Sequence, residues 1–282
     1  MSNISADLIK QLRSITGVGM SKCKEALSAS SGNLEEAVHY LRKKGMASAA
    51  KKEGRETKEG VVVSAETDTH VALLEVNAET DFVVKNERFQ AFAKDLVEQI
   101  ATSKPSSIDA FLQETYAKDT SLTIDAYRNL VIQSLGENIQ LKRLELIEKK
   151  KDLSIGIYSH MGGKILAAVA IQGSASQQDL AKQVAMHVAA YSPDFLQPSD
   201  VPESIQEKEK EIARAQMQGK PDHIIDKILT GKMKAFYDEN CLVSQPFVKD
   251  SSKSVQEFVA AEGKKEGQTL QVSSFWCWKI GS

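Results

Sequence analysis

At 282 residues with 41% hydrophobic content, the chain is long enough to bury a sizeable core and to divide into two or three domains. No apolar run approaches the roughly 18 residues of a membrane helix, and Met1 to Lys10 lacks an apolar run behind a basic start; neither a span nor a secretory leader is expected, and the cytoplasm is the expected compartment. A net charge of -2 with 26% charged residues argues against bulk nucleic-acid binding, which needs a concentrated basic face.

Residues 1–45 show three helical patterns: Leu8, Leu12 and Ile15; Met20, Cys23 and Leu27; Leu34, Ala37, Val38 and Leu41. Gly17 and Gly19 mark the first break. Ser31-Gly32-Asn33 marks the second, with Asn33 and Glu36 spaced as a capping box. This predicts a three-helix bundle resembling ubiquitin-associated (UBA-like) domains, a likeness of fold that carries no function by itself. Its excess of basic residues, Lys10, Arg13, Lys22, Lys24, Arg42, Lys43 and Lys44, suits either an acidic partner or a solvated face. Residues 46–59 have no apolar stripe and are expected to form a flexible or frayed-helical linker.

Residues 60–147 read as strand-strand-helix-helix-strand. Gly60–Ala65 and His70–Asn77 form a hairpin around Thr67-Asp68-Thr69, and His70, Ala72, Leu74 and Val76 alternate as a half-buried strand. Thr80 and Asp81 can cap the following turn. Phe82 and Val83, being adjacent, then point in different directions, so the ring is either a lid on the core or a probe for a partner. Helices follow on Phe89, Phe92, Leu96 and Ile100, and on Ile124, Tyr127, Val131 and Leu135, the second stopped by Gly136. Ile139–Ile147 alternates as a third strand.

Beyond Glu148–Asp152 the order recurs: strand Leu153–Tyr158, turn Met161-Gly162-Gly163, strand Lys164–Gln172, and a helix on Leu180, Val184, His187, Val188 and Tyr191. Laying Phe92–Ala101 on Leu180–Ala189 aligns the apolar positions, which supports a repeat. Its remaining helix and strand wait until Ser254–Ala261 and Thr269–Lys279, so the second subdomain is 153–195 with 243–282, and 196–242 is an insertion. There Pro193, Pro198 and Pro202 break the chain, Ile205 and Ile212 stand a heptad apart, Gly219-Lys220-Pro221 turns, and Ile225, Ile228, Leu229, Lys232 and Phe236 make a second stripe. The prediction is a projecting antiparallel helical hairpin of coiled-coil type. The fold class is therefore α+β: a three-helix bundle, then two repeated units of antiparallel sheet plus helices, the second carrying the inserted hairpin.

No nucleophile motif or phosphate-cradling loop stands out; Met161-Gly162-Gly163-Lys164 lacks the spacing and the Ser/Thr of one and reads as a hairpin turn. His39, His70, His160, His187 and His223 are scattered. Cys23, Cys241 and Cys277 lie far apart, without metal-ligand spacing, and read as reduced thiols. No enzyme activity, metal or cofactor is expected. His187 falls on an apolar stripe as a core or interdomain residue, whereas His160, beside a turn, is more exposed.

Asn77-Ala78-Glu79-Thr80-Asp81-Phe82-Val83 followed by Phe89-Gln90-Ala91-Phe92, and Thr16-Gly17-Val18-Gly19-Met20 with Cys23-Lys24-Glu25-Ala26-Leu27, resemble the two signatures of the elongation factor Ts family, the nucleotide exchange factors of elongation factor Tu. Gly136-Glu137-Asn138, Tyr158-Ser159-His160, Met186-His187-Val188-Ala189-Ala190 and Gln245-Pro246-Phe247-Val248 extend the resemblance, in order, over nearly the whole chain. It implies a protein that binds elongation factor Tu holding GDP, disturbs the Mg²⁺ and phosphate site, releases GDP, and leaves the nucleotide-free complex when GTP enters. It also assigns partner contacts. Phe82 would enter an apolar crevice beside the partner's Mg²⁺-binding segment, within Thr80, Asp81, Phe82 and Val83, while Met20, Lys24, Leu135, Gly136 and His160 supply further contacts. The hairpin could meet other domains of the partner or a second copy, as a homodimer or a two-to-two complex. On the residues alone, Met20 could equally be core and Gly136 a plain helix stop. The rival reading is a non-enzymatic adaptor or a ribosome- or RNA-associated binding protein with Phe82 in its own core.

Overall fold

The computed structural model describes residues 4–215 and 222–281; the expected turn at Gly219-Lys220-Pro221 lies outside them. The chain forms two compact units, one holding the residues up to Glu148 with Gly162–Lys164 and the end of the chain from Lys279, the other Lys149–Met161 and Ile165–Trp278.

The first unit begins with α1 (Ala6–Thr16), α2 (Met20–Ala29) and α3 (Leu34–Ala50), the predicted bundle. Ser5 caps α1 by accepting from the Leu8 amide, Gly17 ends it at φ 65°, and Asn33 caps α3 through the amides of Glu35 and Glu36. Leu12, Val18, Cys23, Leu27 and Leu41 make the bundle core. Ile15, expected in the apolar stripe, is instead 58% exposed, because α1 stops at Gly17 and the chain buries Val18 in its place.

The expected linker needs correction. Its first five residues continue α3 to Ala50, and Ala49 is buried in the core of the adjoining sheet. The segment shows no apolar stripe because its contact face is made of small residues. A Cβ added at Gly45 would stand 3.2 Å from Gln133 Oε1 and 3.5 Å from the Asn129 carbonyl, so α3 lies close against the later helix that carries both.

The sheet comprises β1 (Glu59–Glu66), β2 (His70–Ala78) and β3 (Ile139–Glu148), antiparallel, with β2 in the middle. Between β2 and β3 run α4 (Asp81–Val84), α5 (Glu87–Ser103), α6 (Ile108–Gln113) and α7 (Ile124–Leu135). Strand β2 is not half-buried as its alternation suggested: Val71 to Ala78 are all buried, including Glu75, whose carboxylate accepts from Arg143 Nε at 2.6 Å. Ala72, Leu74, Val76 and Ala78 meet Phe89, Phe92, Leu96 and Ile100 of α5 in one core. The short helix α6 had no periodicity to betray it; Ser107 caps it and Phe111 pins it to the same core. Gly136 ends α7 with φ 88°.

In the second unit β4 (Leu153–His160), β5 (Ile165–Gln172) and, after the insertion, β8 (Gln271–Lys279) form a sheet with β5 central. Its core joins Ala167, Val169 and Ile171 to Leu180, Val184 and Val188 of α8 (Gln178–Tyr191). The inserted α9 (Glu203–Ala215) and α10 (Asp222–Asn240) pack through Ala213, Ile225, Ile228 and Leu229. Here the predicted seam is off by one residue: Ala213 is buried and Ile212 is 44% exposed. A two-stranded ribbon, β6 (Pro246–Phe247) and β7 (Asp250–Ser254), leads into α11 (Val255–Lys265), which opens with a reciprocal Ser254–Glu257 capping box. Among the described residues no helix is long and apolar enough to cross a membrane.

Candidate protein-docking site

Strand β2 leaves the sheet at Ala78, and two residues later Thr80 caps α4, its hydroxyl accepting from the Val83 amide. A single helical turn has too few internal hydrogen bonds to persist alone, so α4 depends on its surroundings. Val84 is buried in the core and Val83 packs against it, while the Val84 carbonyl accepts from Gln90 Nε2 at 2.6 Å. Those two valines lie on the inner side of the turn. Phe82 is left on the outer side, 82% exposed, the most exposed of the large hydrophobic residues described. It is thus no lid on the core.

Beside it, Asp81 accepts from Lys85 Nζ at 2.7 Å, one turn along. That ammonium, with a smaller contribution from Lys164, holds the Asp81 carboxyl below its usual range. The ring therefore sits next to an ionised carboxylate within a short, anchored turn.

Other candidate residues gather in the same unit. Met20 is 46% exposed at the start of α2 and Lys24 is exposed, so neither belongs to the bundle core. Leu135 is half-buried against the sheet core, and Gly136 is exposed, its left-handed conformation ending α7. Hydrogen bonds tie these segments together. Arg88 Nη2 donates to the Thr16 carbonyl at 2.7 Å, and Ser134 Oγ donates to the Gly17 carbonyl at 2.7 Å, fixing the loop before Met20 against α5 and α7. Thr80 donates from its amide and its hydroxyl to the carboxylate of Glu137, at 3.0 and 2.6 Å. Lys22 Nζ donates to the Gln133 carbonyl at 3.3 Å, covering an open carbonyl in the last turn of α7.

His160 is exposed and belongs to the second unit, where its Nδ1 meets the Tyr158 hydroxyl at 3.1 Å and the two rings stack. His187 is fully buried there. Both its ring nitrogens are used inside the fold, Nδ1 accepting from the Val248 amide and Nε2 donating to Gln245 Oε1, so it is a core residue. Among the described residues no group of three or more His, Cys, Asp or Glu is placed to hold a metal ion.

Sequence reasoning passed over Arg88, Ser134, Glu79 and Glu137 as organisers of this surface. Each satisfies or is satisfied by a backbone group at the end of an element, a role that long-range pairing creates. Glu79 and Glu137 did stand inside the motifs of the family resemblance, which gave them no role there.

The family model described as Elongation factor TS matches residues 79–282, and one described as UBA-like domain matches residues 5–45. The chain is 52% identical over 281 residues to the Elongation factor Ts of Protochlamydia amoebophila, with 100% of each chain covered. It is 45% identical to that of Chlamydia muridarum over 282 residues and 46% identical to that of Chlamydia pneumoniae over 283, again with 100% of both chains covered. A family model that covers residues 79–282 and full-length identity of about half to these relatives show that the chain belongs to the elongation factor Ts family of translation elongation factors.

Proposed function

We propose that the protein binds elongation factor Tu in its GDP state and accelerates GDP release, with Phe82 as the side chain that disturbs the partner's nucleotide site. It makes and breaks no covalent bond, and so acts as an exchange factor and not as an enzyme. The observation that carries this reading is the 82% exposure of Phe82 on a turn whose other apolar residues are anchored. Moving such a ring into an apolar crevice yields roughly 1.5–3 kcal/mol. That gain releases nucleotide only if the crevice is better formed in the GDP-free state, since a ligand shifts an equilibrium by its differential affinity alone. Mg²⁺ in nucleotide sites is held by few protein groups and by phosphate oxygens, so displacing one protein segment loosens metal and nucleotide together.

The surface around Phe82 supports a broad contact. Asp81 contributes an ionised carboxylate, Leu135 and Gly136 a helix end, and Met20 and Lys24 an apolar and a basic contact on the bundle. His160, in the second unit, is a separate candidate contact that rests on the family resemblance. Coupling is reciprocal: by whatever factor the protein weakens GDP binding, GDP weakens the protein's binding to the partner by the same factor. The complex therefore dissociates as nucleotide returns.

Release of fluorescently labelled GDP from elongation factor Tu tests this directly. The parent protein should accelerate release, and Phe82→Ala should lose most of the acceleration while keeping its melting transition. Equal loss of folding and exchange, or no acceleration by the parent, would overturn the reading.

A further inference from the structure

The register of β2 on β3 pairs Ala78 with Ile139, and the ladder formally ends there. Carried two residues further, it sets Glu79 opposite Asn138 and Thr80 opposite Glu137. At both positions a side-chain carboxylate takes the place of a backbone carbonyl. Glu79 Oε1 accepts from the Asn138 amide at 2.6 Å, and Glu137 Oε2 accepts from the Thr80 amide at 3.0 Å while its Oε1 accepts from the Thr80 hydroxyl at 2.6 Å. Each strand thus lends a carboxylate to the other's amide.

Glu79 also has a counterion: Arg55 Nη1 lies 3.4 Å from its Oε1. The segment carrying Arg55 is itself held, since Asn138 Nδ2 donates to the carbonyls of Glu53 and Arg55 at 3.2 and 3.0 Å. Donation of the Thr80 proton to Glu137 leaves the hydroxyl's lone pairs free to cap α4 at the Val83 amide. One carboxylate therefore orients the cap of the turn that bears Phe82.

We propose that Glu137 is a positioning residue for exchange, acting through Phe82: with Glu79 it extends the sheet by two side-chain rungs that hold α4 and the end of α7 as one rigid body. This rests on the exchange reading above. A ring on a one-turn helix, 82% exposed, gains nothing from its own core to fix its direction. Fixing it beforehand removes the ordering cost from the binding step. Charge-assisted hydrogen bonds to backbone amides are suited to that task because they are short and directional.

The test compares GDP release from elongation factor Tu by the parent protein, Phe82→Ala, Glu137→Ala, Glu137→Gln and the double variant of Phe82→Ala with Glu137→Ala, each checked by circular dichroism and melting. Glu137→Ala should slow release about tenfold, the loss that one weakened docking contact produces. Glu137→Gln, which can still accept from the Thr80 amide and donate to its hydroxyl, should recover most of the rate. In the Phe82→Ala background Glu137→Ala should change the rate by less than about twofold, since interacting residues are not additive. Slow release by Phe82→Ala together with parent-like release by Glu137→Ala would overturn this inference alone, as would effects that simply multiply. Parent-like release by Phe82→Ala would overturn the exchange reading and this inference with it. Where Glu137→Ala does not fold, Glu137→Asp carries the test: its shorter arm cannot hold both groups of Thr80, so slowed release confined to the Phe82 background supports the role and an unchanged rate overturns it.

Discussion

The guanidinium of Arg88 occupies the space that a side chain at Gly17 would need: a Cβ built on Gly17 falls 1.0 Å from Arg88 Nη1. The same guanidinium donates to the Thr16 carbonyl, so α1 of the bundle ends on a cation supplied by α5 of the sheet unit. Burial of Arg88 lowers its pKa from the ordinary guanidinium value, and the carbonyl repays part of the lost solvation. Gly17 is thus required twice, for its φ of 65° and for the room it leaves.

Gly17→Ala should therefore destabilise the protein by about 1–3 kcal/mol, the range for a strained conformation combined with a displaced contact. Urea unfolding measures it. Arg88→Ala should relieve the collision but not the backbone strain, so the two substitutions should be less than additive. An unshifted midpoint for Gly17→Ala would show that the bundle is not held in this way.

Phe82→Ala should leave stability within about 0.5 kcal/mol of the parent, as for other exposed positions, because the ring has little burial to lose. Its GDP-release acceleration should fall by about tenfold or more, the kinetic equivalent of losing a buried phenylalanine contact. Melting curves and stopped-flow release together separate the two effects.

Gly45→Leu tests the docking of α3. Intrinsic propensity alone would favour leucine over glycine in a helix by roughly 0.8 kcal/mol. The contact with Gln133 and Asn129 leaves no room for it, so the net effect should be a loss of about 1–3 kcal/mol by overpacking. A higher melting temperature would contradict the close helix pairing.

The fourth prediction concerns pH. Burial pushes the His187 imidazole below its ordinary pKa, against a smaller opposing effect of the Gln245 hydrogen bond. The folded protein therefore keeps His187 neutral at pH values where the unfolded chain takes up a proton. Its contribution is fully present above the unfolded value of about 6.5 and is lost as pH falls from there toward the folded value, with a slope of at most about 1.4 kcal/mol per unit. Protonation of Nδ1 would also set two donors face to face at the Val248 amide. Urea midpoints between pH 7.5 and 5.0 should fall for the parent and fall less for His187→Gln; equal slopes would remove His187 as the cause.

Much of the fold was legible because it rests on periodicity and capping, which are local. The helix on Phe89, Phe92, Leu96 and Ile100 buries all four, and Gly136 stops α7 as its position suggested. The hairpin at Thr67 to Thr69 and the return of the second sheet's last helix and strand after the insertion were also readable. What failed has two physical causes. Ile15 and Ile212 stand at the right spacing to be buried and are exposed, because spacing defines a face and only the chain's next turn decides whether anything covers it. Residues 46–50 look like linker and are helix, because small residues pack by letting a neighbour come close and leave no apolar stripe to count.

By itself the sequence determined the order of the longer elements, the caps at Asn33 and Thr80, the stop at Gly136, and the likeness that names a family; each follows from residues within a few positions of one another or from motifs kept in order. Whether Phe82 is buried in its own core or turned outward was decided only by tertiary structure. Val83 and Val84 take the inner side of a one-turn helix, and Glu137, distant in sequence, holds its cap through Thr80. Adjacent apolar residues cannot all face one core, and which of them is turned outward depends on contacts that exist only once the chain has folded back on itself.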